Sequence, residues 1–357
     1  MSQKTVKDSV FSFWQWFEGN HEPLEKMIKE QRNLQAAQYI SHQLASLRLP
    51  YICQVGLEED TGRFCLSLRS NGNKTIQFIC RFWKEQAPAS LLSGWNFSPF
   101  HPALRAPEAI PLLMDGVQYH PEQCRILCYT DMERQKFNLQ VFSPEFISLP
   151  ENSRIRLIFL MLYLFLGEAL SEIYLGAVEA LEKFPAIPMA GGEELDFPSL
   201  AEKIRGCHEE LGWPWVSDPT QICFGYQVTG EKVSSPSPRE DIIMGFTRHP
   251  HLLDESYSTA DELHSTGGEY GYFYYDNGQI PEEDQLSFRD DLLHKIEQIL
   301  DLYGIGYVIG AATGLIWSYL DVIIFDFPTF QAVFRNPEQL LGFPLNFHSF
   351  LHNKKLQ

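Results

Sequence analysis

The sequence predicts an α+β fold of two mixed domains, each with helices layered on antiparallel sheets. The chain has 357 residues, about twice the length of an ordinary single domain. The predicted strands come in pairs joined by short turns, and they do not alternate regularly with helices as a doubly wound parallel sheet requires. Hydrophobic residues make up 44% of the chain, which is enough apolar material to build two cores.

The first domain is predicted to cover residues 1–184. Apolar residues at helical spacing and short β-type runs bounded by turn residues define its elements. In order, these are helices over 10–48, strands at 51–57 and 63–69, a helix at 76–85, and strands at 124–130 and 138–142. The domain is predicted to end in a long buried helix from about Asn152 to Phe184, capped by Asn152 or Ser153.

Residues 185–192 are predicted to be a linker, because they combine two prolines and two glycines with no charge. The second α+β domain then covers 193–357. Its predicted elements are a helix at 199–211, strands at 221–228, 241–246 and 270–275, a helix at 286–303, and a final strand pair at 307–311 and 318–325. Gly304 is predicted to close the last helix.

The acidic charge is concentrated in one part of the chain. The sequence has 46 acidic and 28 basic residues and a formal net charge of −18, which argues against binding nucleic acid through its phosphates. Residues 1–190 hold 18 basic and 20 acidic residues, a net charge of −2, whereas residues 191–357 hold 10 and 26, a net charge of −16. Residues 251–301 alone hold 2 basic and 13 acidic residues, a net charge of −11.

A localised acidic field attracts basic proteins and speeds their association. Tyrosine is also enriched at the energetic centres of protein interfaces. We therefore predict a binding surface for a basic protein partner, and the alternative is an acidic face that only keeps the protein soluble. The predicted contact residues are Asp254, Glu255, Asp261, Glu262, Glu269, Tyr272, Tyr274, Glu282, Glu283 and Asp284.

A second hypothesis is a metal-dependent hydrolase or another enzyme. His249, His251 and Asp254 are of the types that bind divalent ions. Pro250 between the two histidines disturbs a regular strand, so a turn with surface histidines is the favoured interpretation. No nucleophile or zinc-hydrolase motif is present, and no catalytic residue is predicted.

No cofactor is predicted. The glycines from Gly304 to Gly310 have the wrong spacing for a dinucleotide fingerprint and follow a helix rather than a strand. The longest apolar run, Leu157–Gly167, is shorter than the roughly 20 residues that span a bilayer. With no signal peptide and seven cysteines that suit buried thiols, we predict a cytoplasmic protein that does not enter a membrane, and a homo-oligomer is left open.

Several short segments resemble a family of uncharacterised two-domain cytoplasmic proteins of bacteria. The segments are Phe13–Asn20, Ala87-Pro88, Gly94-Trp95, Ile243–Thr247, Gly268–Phe273, Gly310–Gly314 and Trp317–Asp326. The resemblance spans most of the chain, but it carries no catalytic residues to transfer. It implies a role among the immunity or interaction proteins of bacterial toxin systems. The sequence as a whole thus predicts a non-enzymatic protein that binds a basic partner, as an immunity or inhibitor protein binds a toxin.

Overall fold

The structure, a computed structural model, is an α+β protein with mostly antiparallel sheets, which confirms the predicted fold class. It describes residues 4–58, 60–104, 112–114, 117–147, 149–185, 190–231, 233, 235–237, 239–252 and 258–350, without the side chains of 258–261.

The bounds of the regular elements follow. The helices are α1 (Val6–Lys29), α2 (Asn33–Ser46), α3 (Lys74–Glu85), α4 (Glu151–Tyr174), α5 (Phe197–Glu210), α6 (Ser258–Ser265), α7 (Gln285–Tyr303), α8 (Phe327–Val333) and α9 (Pro337–Leu341). The strands are β1 (Cys53–Leu57), β2 (Phe64–Leu68), β3 (Trp95–Ser98), β4 (Leu112–Met114), β5 (Val117–Tyr119), β6 (Arg125–Asp131), β7 (Lys136–Phe142), β8 (Leu175–Ala180), β9 (Gly192–Leu195), β10 (Phe224–Gln227), β11 (Ile242–Thr247), β12 (Glu269–Asp276), β13 (Gly306–Gly314), β14 (Trp317–Ile324) and β15 (Asn346–Ser349).

The chain forms two compact units, and each is assembled from separate stretches of sequence. Unit 1 comprises 1–51, 74–93 and 220–357, and unit 2 comprises 52–73 and 94–219. The sequence had predicted a single boundary at 185–192. The structure divides the chain differently because the N-terminal helices pack on strands near the C-terminus.

Unit 1 is organised around a six-stranded antiparallel sheet in the order β10-β11-β13-β14-β12-β15. Helices α7, α8 and α9 cover one face, where Leu292, Ile296 and Leu300 of α7 share a buried cluster with Leu320 and Val322 of β14. The four-residue spacing along α7 and the two-residue spacing along β14 are the periods of a helix and a strand. The left-handed Gly304, with φ of 55°, ends α7 as predicted.

The N-terminal helices belong to unit 1. The backbone N–H of Lys7 in α1 donates to the carbonyl oxygen of Phe325 at 3.0 Å. The rings of Phe82 in α3 and Phe325 lie 4.7 Å apart. The indole N–H of Trp14 donates to the carbonyl oxygen of Trp83 at 2.9 Å, which ties α1 to α3. These contacts join residues that are 69 or more positions apart in the sequence, so no local pattern could predict them.

Unit 2 contains the sheets β1-β2-β3 and β8-β7-β6-β9 and the hairpin β4-β5. The β2–β3 and β7–β8 pairs are parallel, and the other pairs are antiparallel. Helices α4 and α5 belong to this unit. The thiols of Cys124 and Cys128 are buried, and burial raises their pKa to about 12 and about 11, so they are core thiols as predicted.

Helix α4 differs from its prediction at both ends. It begins after Pro150, and no side chain caps it, so neither Asn152 nor Ser153 is the N-cap. It ends at Tyr174, because 175–180 form β8, which pairs in parallel with β7. Here strand pairing overrides a helix-favouring local sequence. The predicted linker is likewise used in part as strand, since Gly192 begins β9 on the edge of β6.

By length and composition α4 is able to span a membrane, with 24 residues and a mean hydropathy of 1.7 over its most apolar window. Core helices of soluble proteins pass the same test, and most of this window is buried within unit 2. The helix is interrupted at Gly167, whose φ of 77° and ψ of 171° are not helical. This helix alone therefore assigns no location to the protein.

The charge asymmetry along the sequence does not carry over to the units. By their residue ranges, unit 1 holds 17 basic and 25 acidic residues, a net charge of −8. Unit 2 holds 11 and 21, a net charge of −10. A binding role for the acidic residues therefore depends on where they lie within unit 1, and not on an acidic domain.

Candidate functional site

The residues predicted to bind a partner do not lie on one surface. Glu269 is buried at 6% exposure and Tyr272 at 1%, because β12 lies between β14 and β15 inside the sheet. Both are therefore removed from the predicted contact surface. Tyr274 is half-buried on the same strand, and Glu262 is exposed on α6. Asp254 and Glu255 lie outside the described residues, as does the side chain of Asp261.

The remaining three predicted residues, Glu282, Glu283 and Asp284, form one turn of 3-10 helix that leads directly into α7. We call them the acidic turn. All three are exposed, and within the described residues none of the three takes part in an ion pair. Carboxylates at a helix N-terminus are stabilised by the helix dipole, which gives this part of the charge a local structural role as well.

Next to the acidic turn, unit 1 contains a pocket of about 600 Å³, which we call the β10 pocket. Phe246 faces the core cluster under α7, and its cross-strand partner is Gly225 of β10. Directly paired residues share a face of a sheet, so this pocket lies on the α7 side. The residues that line it are Gly225, Tyr226, Gln227, Met244, Gly245, Phe246, Leu286 and Arg289.

The helix residues at the pocket connect it to the acidic turn. Leu286 lies in the first turn of α7 and is 49% exposed. The acidic turn directly precedes this turn of the helix. Asp290 follows Leu286 four residues on, where the residues of a helix are surface neighbours. The apolar mouth of the pocket is thus close to carboxylates before and after Leu286.

Arg289 is the cation at this pocket, and it is held in place from two sides. Its Nη1 donates to Oγ1 of Thr313 at 3.0 Å. Its Nη2 and Nε donate to Oδ1 of Asp290 at 2.9 Å and 3.1 Å. The guanidinium is therefore neutralised by Asp290, and the carboxylates of the acidic turn set the sign of the charge at the rim.

On the opposite face of the sheet, unit 1 holds a buried polar cluster that the sequence analysis missed. Asp321 of β14 pairs with Arg239, and the guanidinium lies over the rings of Tyr272 and Tyr319. Asp241 is fully buried, and its Oδ2 accepts from the backbone N–H of Trp317 at 2.8 Å. This cluster explains why Tyr272 points inward, and burial raises the pKa of Tyr272 to about 12.

Tyr226 of β10 adds a phenol to this region of unit 1. Its hydroxyl is buried without a hydrogen-bond partner among the described residues. Burial raises the pKa of Tyr226 to about 12, and the Asp321 carboxylate acts in the same direction. The phenol is therefore neutral at pH 7, and it is not an activated base or nucleophile.

The structure places the two predicted histidine ligands near each other, with ring centroids 6.2 Å apart, but only one of them is exposed. His249 is buried at 1% exposure, with Nε2 3.2 Å from Oγ1 of Thr75 and its ring stacked on Phe78 at 6.2 Å. Burial lowers the pKa of His249 to about 3, so its imidazole is neutral. His251 is exposed. Within the described residues, which do not include Asp254, no group of three His, Cys, Asp or Glu side chains is placed to bind a metal.

Unit 2 also holds a buried carboxylate, Glu168, that the sequence did not single out. Glu168 follows the break at Gly167 and accepts from the backbone N–H groups of Ser70, Gly72 and His101, at 3.1, 3.2 and 3.3 Å. The Ser70 hydroxyl also donates to Glu168. The one sequence signal was a lone carboxylate at the end of the long apolar run.

These contacts make Glu168 a structural anchor. His101 directs Nε2 to Gln54 and not to Ser70. The base that contacts the Ser70 hydroxyl is Glu168 itself, whose oxygens already accept from backbone N–H groups. Burial lowers the pKa of His101, and the charge of Arg69 acts in the same direction. The arrangement fixes the turn at 70–72 to the break in α4, and among the described residues it lacks the serine–histidine contact of a catalytic triad.

We compared the chain with protein-family models, with curated proteins and with solved structures, and found no match in any of the three comparisons. The functional argument therefore rests on the geometry of the β10 pocket and the acidic turn.

Proposed function

We propose that this protein works by binding another protein, and that the partner presents a basic, partly apolar segment to unit 1. The observation that carries the proposal is the position of the acidic turn beside the β10 pocket, at the exposed Leu286. The pocket supplies apolar surface, and the acidic turn supplies charge.

Each half of this arrangement has a physical role in binding. Burial of Leu286, Met244 and Phe246 against a partner stabilises a complex through the hydrophobic effect. The carboxylates of the acidic turn accelerate the encounter with a basic protein and disfavour acidic competitors. In line with the family resemblance of the sequence, we propose that the partner is a basic toxin and that binding inhibits it.

The experiment is a capture assay with the purified full-length protein and a matched pair of variants. In one variant the acidic turn is neutralised by Glu282→Gln, Glu283→Gln and Asp284→Asn. In the control, three exposed carboxylates of α5 in unit 2 are neutralised by Glu202→Gln, Glu209→Gln and Glu210→Gln. Both variants lose three charges, so any effect of net charge alone is the same in both.

The immobilised proteins are incubated with lysate of the native host at low and at high salt. We expect a basic protein to be retained by the wild type and by the α5 control and lost from the acidic-turn variant. High salt should weaken its retention, because dissolved ions screen the attraction between exposed charges. The screening length is about 10 Å at 0.1 M and becomes shorter as the salt concentration rises. Equal retention by both variants, or no retained basic protein, contradicts the proposal.

A further inference from the structure

We infer that β10 binds an extended segment of the basic partner as an additional strand of the unit 1 sheet, with an apolar side chain of that segment in the β10 pocket. The inference rests on the proposed function and specifies how the partner is held. It would be an example of strand addition, in which backbone hydrogen bonds supply affinity and side-chain pockets supply specificity.

The first support is the position of β10 at the edge of the sheet. β10 ends the strand order, and among the residues that the structure describes it pairs only with β11. The backbone N–H of Val228 donates to Ile243 at 3.0 Å, and hydrogen-bonded positions alternate along an antiparallel pair. Tyr226 and Phe224 therefore face β11, whereas the backbone groups of Gly225 and Gln227 point away from it. They are available to a further strand.

The second support is the composition of this edge. Edge strands are usually protected from pairing by charged residues, proline or bulges. The sequence of β10 is Phe-Gly-Tyr-Gln, which has neither charge nor proline. Gly225 is exposed, and a Cβ atom at this position would meet no atom within 4 Å. The Gly225 backbone is thus accessible beside the pocket.

The third support is the charge, which identifies the occupant. Successive side chains of a strand point to opposite faces of the sheet, and the β10 pocket and the acidic turn both belong to the α7 side. A segment with an apolar side chain in the β10 pocket therefore brings basic side chains to the acidic turn from positions two residues away, on the same face. A second copy of the chain is a poorer occupant, because each copy carries a net charge of −18 and like charges repel. The inference therefore commits to a basic segment of another protein.

The test uses a defined probe, a labelled eight-residue peptide in which Lys residues stand two positions before and two positions after a central Leu, so that the three side chains share one face of the strand, with Thr at the other positions. Two control peptides have the same length. One carries N-methyl groups on alternate amides, which removes the donors on one strand edge, and the other has Glu in place of Lys. Binding to the full-length protein is measured by fluorescence anisotropy, and amide hydrogen exchange of the protein is measured with and without the peptide.

The protein variants test the same edge from the other side. Gln227→Pro removes an outward-facing N–H, and proline is tolerated on edge strands. Gln227→Ala, the matched control, removes the side chain and keeps the N–H. We expect the basic peptide to bind the wild type and Gln227→Ala at least tenfold more tightly than Gln227→Pro. The hydrogen-exchange measurement on the wild type does not depend on how the proline variant folds.

Strand addition also predicts that the peptide slows amide exchange at Gly225 and Gln227 at least tenfold, and that N-methylation weakens binding at least tenfold. No binding of the basic peptide, or unchanged exchange at both amides, overturns the inference. A third result also overturns the inference. If these two amides are protected in the protein without peptide, and the protection increases with protein concentration, the strand that occupies the edge comes from a second copy of the chain.

The test separates failure of this inference from failure of the proposed function. If the N-methylated peptide binds as well as its parent and binding is lost in the acidic-turn variant, strand addition is wrong and the acidic binding surface stands. If binding is lost in the Gln227→Pro variant but is unchanged in the acidic-turn variant, strand addition at β10 stands. The proposal that the acidic turn selects a basic partner is then wrong.

Discussion

The side chains of Arg239 and Asp321 form an ion pair inside unit 1, with Nη1 2.8 Å from Oδ1 and Nη2 donating to Oδ2 at 3.2 Å. The two side chains are only 14% and 8% exposed. The guanidinium also lies 4.9 Å and 4.7 Å from the ring centroids of Tyr272 and Tyr319. Because water is largely excluded, neither charge has another way to be neutralised.

Breaking this pair is expected to destabilise unit 1 strongly. Asp321→Asn leaves the guanidinium buried without its counter-ion, which costs about 3 to 5 kcal/mol for buried pairs. The measurement is the free energy of unfolding in urea. Glu297→Gln is the control, because Glu297 meets Arg248 at 3.5 Å in a more exposed pair of unit 1, and such pairs contribute at most about 1 kcal/mol. Equal effects of the two substitutions would show that the buried pair is not important.

Glu168 is expected to be the most sensitive carboxylate of unit 2. Glu168→Gln replaces an acceptor oxygen by an amide group that meets N–H donors, and we expect a loss of at least about 2 kcal/mol in the free energy of unfolding. The control is Glu182→Gln, since the Glu182 side chain is 85% exposed and meets Arg154 at 3.5 Å. A change there should stay within about 0.5 kcal/mol. A loss as small for Glu168→Gln would disprove the anchoring role.

The break in α4 requires glycine for two separable reasons. Gly167 has a φ of 77°, and a Cβ atom there would lie 2.7 Å from the backbone nitrogen of Ala103. Gly212, also in unit 2, has a φ of 69°, but a Cβ atom would meet nothing within 4 Å. Gly212→Ala is expected to cost about 1 to 2 kcal/mol for its backbone conformation alone. Gly167→Ala adds a clash with backbone, so its midpoint in urea should fall further, and equal midpoints would contradict this account.

The sequence was informative wherever structure is local. The periodicities of α7 and β14 and the glycine at 304 were sufficient to predict a helix, its end and a buried strand, because each follows from residues within about one turn or one strand. The helix predicted from about Asn152 to Phe184 was wrong beyond Tyr174, since pairing with β7 decides the conformation of 175–180. Local propensity is overridden when a sheet edge is available.

The candidate site could be predicted only in part. The acidic turn was found from charge density, but Glu269 and Tyr272 in the same segment are buried because β12 is an inner strand. The β10 pocket depends on the pairing of β10 with β11 and on the position of α7. The donors to Glu168 lie up to 98 residues away in sequence, so a local pattern cannot reveal them.

Divalent metal is expected to leave the protein's stability unchanged. His249 is packed against Phe78 and Tyr270, so binding a metal there would require this packing to open. Adding Zn²⁺ or Mn²⁺ to the purified protein should shift the Tm by less than about 1 °C, whereas a ligand that binds the folded state raises it. A rise that disappears in the His249→Gln variant would instead support the metal hypothesis.

His249 is expected to make the protein less stable in acid. Burial lowers its folded-state pKa to about 3 from the ordinary value of 6.5, so between these values the unfolded chain binds a proton that the folded protein does not. Stability therefore rises with pH across this window, by up to about 1.4 kcal/mol per pH unit for one imidazole. The destabilisation by the buried imidazole is absent above about pH 6.5 and grows as the pH falls toward 3.

The measurement for this prediction is the free energy of unfolding as a function of pH for the wild type and for His249→Gln. Because other groups also titrate in acid, the difference between the two curves isolates the effect of the buried imidazole. Between about pH 4 and pH 6 this difference should change by about 1.4 kcal/mol per pH unit, which corresponds to the uptake of one proton on unfolding. His42→Gln on the exposed side of α2 is the control, since it removes no buried imidazole. Parallel curves for the wild type and His249→Gln would mean that His249 stays accessible to protons in the folded protein.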